Sequence, residues 1–114
     1  MNITKTYFMV PIHDMDRALA FYRDVIGLHA GFSSPNWSEL AWRDATIALH
    51  PGGTTTDRQG WLGFEVDDLD SALSEIEAAG GRRDAERNEG GQRLVTVTDS
   101  EGNSITLGQQ VSWG

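Results

Sequence analysis

The sequence contains two copies of one pattern, and this repeat limits the folds that are open to it more than any other feature. The segment 10–19 (VPIHDMDRAL) aligns with the segment 64–73 (FEVDDLDSAL) at an offset of 54 residues. The segment 46–49 (TIAL) aligns with 104–107 (SITL) at an offset of 58 residues. Each copy is about fifty residues long, so the chain is expected to fold as two similar modules.

The length of the chain sets how these modules are organised. A chain of 114 residues has the size of one compact domain, so both copies are assigned to a single domain, 1–114. We predict modules at about 1–51 and 60–110, joined by a linker at 52–59. The linker is polar and lacks any apolar periodicity.

Both copies have the same predicted order of elements. Each opens with alternating residues, at 4–12 and at 60–66, which predicts a strand with one buried face. Asp14 and Asp68 then precede apolar residues at helical spacing, so each is expected to cap a helix. Further strands are predicted at 28–33, 37–43 and 45–50 in the first copy and at 83–87, 91–98 and 104–110 in the second. This order predicts an α+β fold of two tandem βαβββ modules whose curved mixed sheets surround a cleft.

Residue parity along the strands indicates which side chains face that cleft. Helices that cover one face of each sheet leave the other face free to bind a ligand. Trp37 is assigned to the ligand, because large rings stack on planar molecules, and Trp42 is assigned to the core beside Leu40. The candidate ligand-binding residues are Tyr7, Met9, Trp37, Ala48, His50, Trp61, Glu65 and Thr106.

Composition excludes several classes of protein. A net charge of −8 disfavours nucleic acid and anionic membrane partners. The absence of cysteine excludes disulfides and metal sites built on sulfur. No apolar run approaches the length of a membrane span, and the first residues lack the pattern of a secretory signal, so we expect a cytoplasmic protein.

Two segments carry a resemblance to a known family. Within the doubled unit, the segments 10–27 (VPIHDMDRALAFYRDVIG) and 99–107 (DSEGNSITL) resemble the vicinal oxygen chelate superfamily. That superfamily contains glyoxalase I, extradiol dioxygenases, methylmalonyl-CoA epimerase, and the fosfomycin and bleomycin resistance proteins. The resemblance covers nearly the whole chain and implies the glyoxalase/bleomycin resistance fold, often found as a homodimer. Its most specific residues are Asp14, Ala18, Phe21, Tyr22, Asp99, Gly102 and Asn103.

The resemblance also identifies four positions where superfamily enzymes bind a divalent cation through His, Glu or Gln. Here those positions hold Tyr7, Ala48, Trp61 and Thr106. Alanine has no lone pair to offer, an indole nitrogen only donates, a phenol is rarely ionised, and a threonine hydroxyl is a weak ligand alone. The resemblance therefore implies a branch of the superfamily that binds neither a metal nor another cofactor.

Three functions stay open at this stage. The first is a metal-free binding protein that sequesters a planar or cationic aromatic ligand, such as an antibiotic or a metabolite. The second is a metal-dependent lyase, isomerase or dioxygenase whose ion is displaced onto His50, Glu65 and Tyr7. The third is a metal-free enzyme that uses His50 or Glu65 for acid–base chemistry. The sequence assigns no catalytic residue.

Overall fold

The chain divides into two compact units, Met1–Thr55 and Thr56–Gly114. A computed structural model describes residues 2–5, 7–51, 62–89 and 91–111. The first unit contains β1 (Phe8–Ile12), α1 (Met15–Ala20), a π-helix (Phe21–Ile26), β2 (His29–Ala30), β3 (Ser38–Trp42) and β4 (Ala45–Pro51). The second unit contains β5 (Gly63–Glu65), α2 (Leu69–Ala78), β6 (Arg83–Glu89), β7 (Gln92–Thr98) and β8 (Ser104–Gln110).

Each unit has one four-stranded mixed sheet with the same strand order. The first sheet is ordered β1-β4-β3-β2 and the second β5-β8-β7-β6. In both, the opening strand pairs in parallel with the last strand of its unit, and the other neighbours pair antiparallel. The predicted α+β class and the repeated order of elements are confirmed. No helix in the described part of the chain is long and apolar enough to cross a membrane.

Both α-helices begin at the aspartates that the sequence indicated. The Asp14 carboxylate accepts a 3.0 Å hydrogen bond from the Arg17 amide, and the Asp68 carboxylate accepts one of 3.1 Å from the Ser71 amide. Amides in the first turn have no partner within the helix, so these side chains satisfy them.

The first helix changes its hydrogen bonding before it ends. The spacing predicts one regular helix up to Gly27, but the α-helical part ends at Ala20 and a π-helix follows. The amides of Gly27 and Leu28 both donate to the carbonyl of Tyr22, at 3.1 and 2.9 Å, so the last turn is wider than an α-turn. Gly27 has φ +95°, which permits this ending at little steric cost.

Each unit buries apolar side chains from its helix against one face of its sheet. Contacts join α1 to β4 and α2 to β8. Burial of this apolar area is the main stabilising contribution within each unit. The buried apolar residues of the first unit include Val10, Ile12, Leu19, Tyr22, Leu40, Ile47 and Leu49, and those of the second include Leu69, Leu73, Ile76, Val95, Val97, Ile105 and Leu107.

Two aromatic residues lie elsewhere than the sequence suggested. Phe8 has the same strand parity as the buried Val10 and Ile12, yet it is 51% exposed because it is the first residue of β1, an edge strand of its sheet. Trp42 was assigned to the core and is also exposed. It lies at the end of β3, where its ring stacks on His29, 6.0 Å between centroids, with the guanidinium of Arg43 6.0 Å from the ring centre.

Candidate functional site

A row of three residues crosses the face of the first sheet opposite the helix. Ala48 on β4 is paired with Met9 on β1 and with Glu39 on β3. Paired residues point to the same face, which we call the open face and define by these three residues. Ala48 is fully buried, whereas Met9 is 53% exposed and the Glu39 side chain is 22% exposed. The centre of the open face is therefore a methyl group between a thioether and a carboxylate.

Three aromatic residues from different segments come together on the open face. The rings of Tyr7 and Trp37 are 5.5 Å apart between centroids and meet edge to face at 86°. The rings of Trp37 and His50 are 6.4 Å apart and close to parallel, at 26°. The sequence named all three as ligand-binding candidates, and the structure brings them into one cluster. A cluster of this kind offers both a stacking surface and ring edges to a planar molecule.

Glu39 connects this cluster to a cation. One carboxylate oxygen accepts a 2.7 Å hydrogen bond from the indole nitrogen of Trp37, and the other accepts one from the ammonium of Lys5. The hydrogen bond from Lys5, followed by the one from Trp37, lowers the pKa of Glu39 below its ordinary value. The open face therefore carries an ionised carboxylate beside its central methyl group.

Sequence reasoning missed Glu39, although the signal was present. In the predicted strand 37–43, Glu39 shares its parity with Trp37, which was assigned to the ligand. An acidic residue of that parity lies next to Ala48 as soon as β3 pairs with β4. The missing step was the register, since a strand assignment does not show which residue of one strand opposes which residue of the next.

The second unit has a cavity of about 180 Å³ on the corresponding part of its sheet. Thr106 pairs there with Gly63 and with Thr96, so the three residues form the row that corresponds to Met9, Ala48 and Glu39. The cavity brings together two predicted site residues, Glu65 and Thr106; Trp61 lies outside the described residues. Its walls come from Gly63, Phe64, Glu65, Gln92, Leu94, Thr106 and Gly108.

Comparison with known proteins identifies the family. A profile of the glyoxalase-like domain matches residues 7–108. The chain belongs to the glyoxalase-like domain family. The resemblance seen in the sequence is thus confirmed at the level of the family and the fold. No curated protein sequence matches this glyoxalase-like chain significantly.

Solved structures of the same fold include antibiotic-binding and metal-containing proteins. TnmS3, an antibiotic-binding protein from Streptomyces sp. CB03234, is 25% identical, with a TM-score of 0.76 over 96% of this chain and 98% of that one. The fosfomycin resistance protein FosX from Listeria monocytogenes, in complex with manganese(II) and sulfate, is 17% identical, with a TM-score of 0.80 over 97% and 93%. A lactoylglutathione lyase from Agrobacterium tumefaciens is 24% identical, with a TM-score of 0.72 over 99% and 96%.

At the metal-binding positions that the structure describes, the residues of this glyoxalase-like chain do not fit the divalent cation that some structures of this fold contain. At the positions that the resemblance indicated, Ala48 has no donor atom, Tyr7 packs its ring against Trp37, and Thr106 offers one neutral hydroxyl. Within the described ranges, no group of three or more His, Asp or Glu side chains could hold a metal ion. Of the displaced set considered above, Tyr7 and His50 lie beside Trp37 in the first unit, and Glu65 lies in the cavity of the second.

Proposed function

We propose that the chain is a metal-free binding protein that sequesters a planar or cationic aromatic small molecule, such as an antibiotic or a metabolite, on the open face of its first unit. The observation that carries this proposal is the cluster of Tyr7, Trp37 and His50 beside Ala48. The position that would supply a metal ligand holds a methyl group, and aromatic rings lie next to it.

The chemistry of the cluster supports an organic ligand. Large rings bury much apolar area with few rotatable bonds, and they stack on planar molecules or accept a cation over their faces. Met9 adds a flexible, polarisable side chain that is half exposed on the same face. Glu39 adds a carboxylate next to Ala48. Such a mixture of apolar surface and a few placed polar groups is typical of sites for small molecules.

The comparisons support a small-molecule ligand. TnmS3 is an antibiotic-binding protein, and it covers nearly the same length as this chain. A shared fold does not transfer a ligand, so the ligand has to be argued from the residues of the open face. By analogy with the resemblance stated above, we also propose a homodimer, which sedimentation equilibrium of the purified chain would test. We also propose a cytoplasmic location, which fractionation of the source cells would test.

A thermal-shift screen against planar and cationic aromatic natural products would test the proposal. A ligand at one hundred times its Kd should add about 2.7 kcal/mol to the free energy of unfolding. Trp37→Leu should abolish the shift, whereas Trp42→Leu should preserve it. Trp42 is the matched control because it is a tryptophan of the same unit that stacks on His29 instead of joining the cluster. Equal loss in both variants would contradict the proposed site.

The enzyme alternatives make different predictions. If His50 were a general base, His50→Ala would abolish turnover of a bound substrate while the substrate still bound. If Glu65 had that role, Glu65→Gln would do the same from the second unit. A ligand that is recovered unchanged after prolonged incubation with the protein would favour sequestration over both.

A further inference from the structure

The carboxylate of Glu39 has two partners of different kinds. The indole nitrogen of Trp37 is held in a ring that contacts Tyr7 and His50, so this donor is fixed by packing. The ammonium of Lys5 is at the end of a long side chain that is 49% exposed. Lys5 also precedes β1, so it is not part of the sheet ladder. One partner is therefore built into the open face, and the other is exchangeable.

Comparison of the two copies shows that the sheet does not require an acid at this position. In the first unit the row across the sheet is Met9, Ala48 and Glu39, and in the second it is Gly63, Thr106 and Thr96. Thr96 therefore occupies the register position of Glu39 in the same strand arrangement. Because an uncharged residue suffices there, the carboxylate of Glu39 needs an explanation other than folding.

Partial burial of that carboxylate is costly unless hydrogen bonds replace its lost water. With 22% of its side chain exposed, Glu39 needs a donor on each oxygen, and Trp37 supplies only one. Another cation could replace the ammonium of Lys5, because an exposed ion pair contributes little to stability and costs little to break.

We propose that Glu39 anchors the ammonium, or a similar cationic group, of the ligand, and that Lys5 occupies this anchor until the ligand displaces it. The inference rests on the proposed function, which it deepens by assigning a positive charge to the ligand. Trp37 then has two roles: its indole N–H orients the carboxylate, and its ring receives the planar part of the ligand.

Isothermal titration calorimetry at pH 8 with two probes of similar shape tests this anchor. The cationic probe is 9-aminoacridine and the uncharged probe is acridine. Glu39→Gln should weaken binding of 9-aminoacridine about tenfold, because it removes a hydrogen bond between charged groups. Binding of acridine should change less than twofold. Glu75→Gln, which removes an exposed acid of α2, is the matched control and should leave both affinities unchanged.

Removal of the competing ammonium should strengthen binding. Lys5→Met should tighten binding of 9-aminoacridine about two- to fivefold, the range that corresponds to an exposed ion pair. Arg82→Met makes the same change in net charge at an exposed position and should have no such effect. The gain from Lys5→Met should disappear in the Lys5→Met/Glu39→Gln double variant. A gain in affinity cannot arise from misfolding.

Each remaining outcome decides against the anchor. If both probes bind and Glu39→Gln weakens them equally or not at all, the anchor is overturned while the proposed function stands. If Lys5→Met weakens the cationic probe or leaves it unchanged, Lys5 is not a competitor and the proposal is overturned. If neither probe binds any of these proteins, the proposed function and the anchor fail together.

Discussion

The indole nitrogen of Trp37 donates a 2.7 Å hydrogen bond to the carboxylate of Glu39, two residues further along the chain. Trp37 immediately precedes β3 and Glu39 is the second residue of that strand, so this bond lies at the beginning of β3. It fixes the ring that Tyr7 and His50 contact. The open face is therefore organised before any ligand arrives, which lowers the entropy cost of binding.

The state of this carboxylate should be visible in a pH titration. The hydrogen bonds from Lys5 and Trp37 hold the pKa of Glu39 below its ordinary value of 4.5. A lowered folded pKa means that the carboxylate stabilises the fold above its ordinary pKa and that this contribution is lost as the pH falls through the lowered value. Because this carboxylate accepts the hydrogen bond of the Trp37 indole, its protonation should appear in tryptophan fluorescence as an acid transition below pH 4.5 that Glu39→Gln lacks. An identical transition in both proteins would assign it to another group.

The stacking partner of Trp37 should matter for ligand affinity. His50→Ala removes the ring that lies nearly parallel to Trp37, and aromatic pairs contribute about 0.5–1.5 kcal/mol beyond their buried area. We expect binding of 9-aminoacridine to weaken about two- to tenfold in calorimetry. His29→Ala is the control, because His29 stacks on Trp42 in the same unit. Equal effects of the two substitutions would place the ligand away from the cluster.

Two adjacent glycines after α2 should respond differently to substitution. A methyl group at Gly81 would lie 2.7 Å from the carbonyl oxygen of Thr98, so Gly81→Ala should lower the free energy of unfolding by about 1–3 kcal/mol. Gly80 has φ +94° and open space around it, so the cost of a substitution there comes from backbone strain. Asparagine tolerates that conformation. In urea denaturation, the free energy of unfolding of Gly80→Asn should thus be close to that of the native protein. That of Gly81→Asn should be lower than that of Gly81→Ala.

One glutamine joins the last strand to the start of the second helix. The side chain of Gln109 accepts a 2.8 Å hydrogen bond from the Leu69 amide and donates one of 2.9 Å to the Asp67 carbonyl. Gln109→Ala leaves both backbone groups without this partner and should cost about 1–2 kcal/mol in urea denaturation. Gln110→Ala, at the exposed next position, should cost less than 0.5 kcal/mol. Equal losses of unfolding free energy in the two variants would show that the hydrogen bonds of Gln109 contribute nothing to stability.

The fold could be read from the sequence because local and repeated signals agreed. Asp14 and Asp68 marked the helix starts, and the same spacing recurred in both copies, so each half supported the other. The strand bounds at 104–110 were also correct. Periodicity was less informative about hydrogen bonding within a helix. The π-helix at 21–26 keeps its apolar residues at almost the same spacing, so nothing in the pattern distinguished it from an α-helix.

The contacts at the site could not be predicted without knowing the register of the strands. Parity grouped Tyr7 with Met9, and the stacking chemistry of its large ring assigned Trp37 to the ligand, but parity could not show that Glu39 lies opposite Ala48. Nor could it show that Lys5, before the first strand, contacts that carboxylate. Trp42 was misassigned for a related reason. Its position two residues after the buried Leu40 predicted a core residue, but Trp42 is exposed because it lies at the end of β3.

The central claim is that this glyoxalase-like chain binds an organic ligand without a metal. Calorimetric titration with 9-aminoacridine, performed once with EDTA and once with excess manganese(II), tests it most directly. We predict saturable binding with one affinity under both conditions, because the described residues at the family's metal positions offer no set of donors. Binding that appears only when manganese is added, or no binding under either condition, would contradict the account.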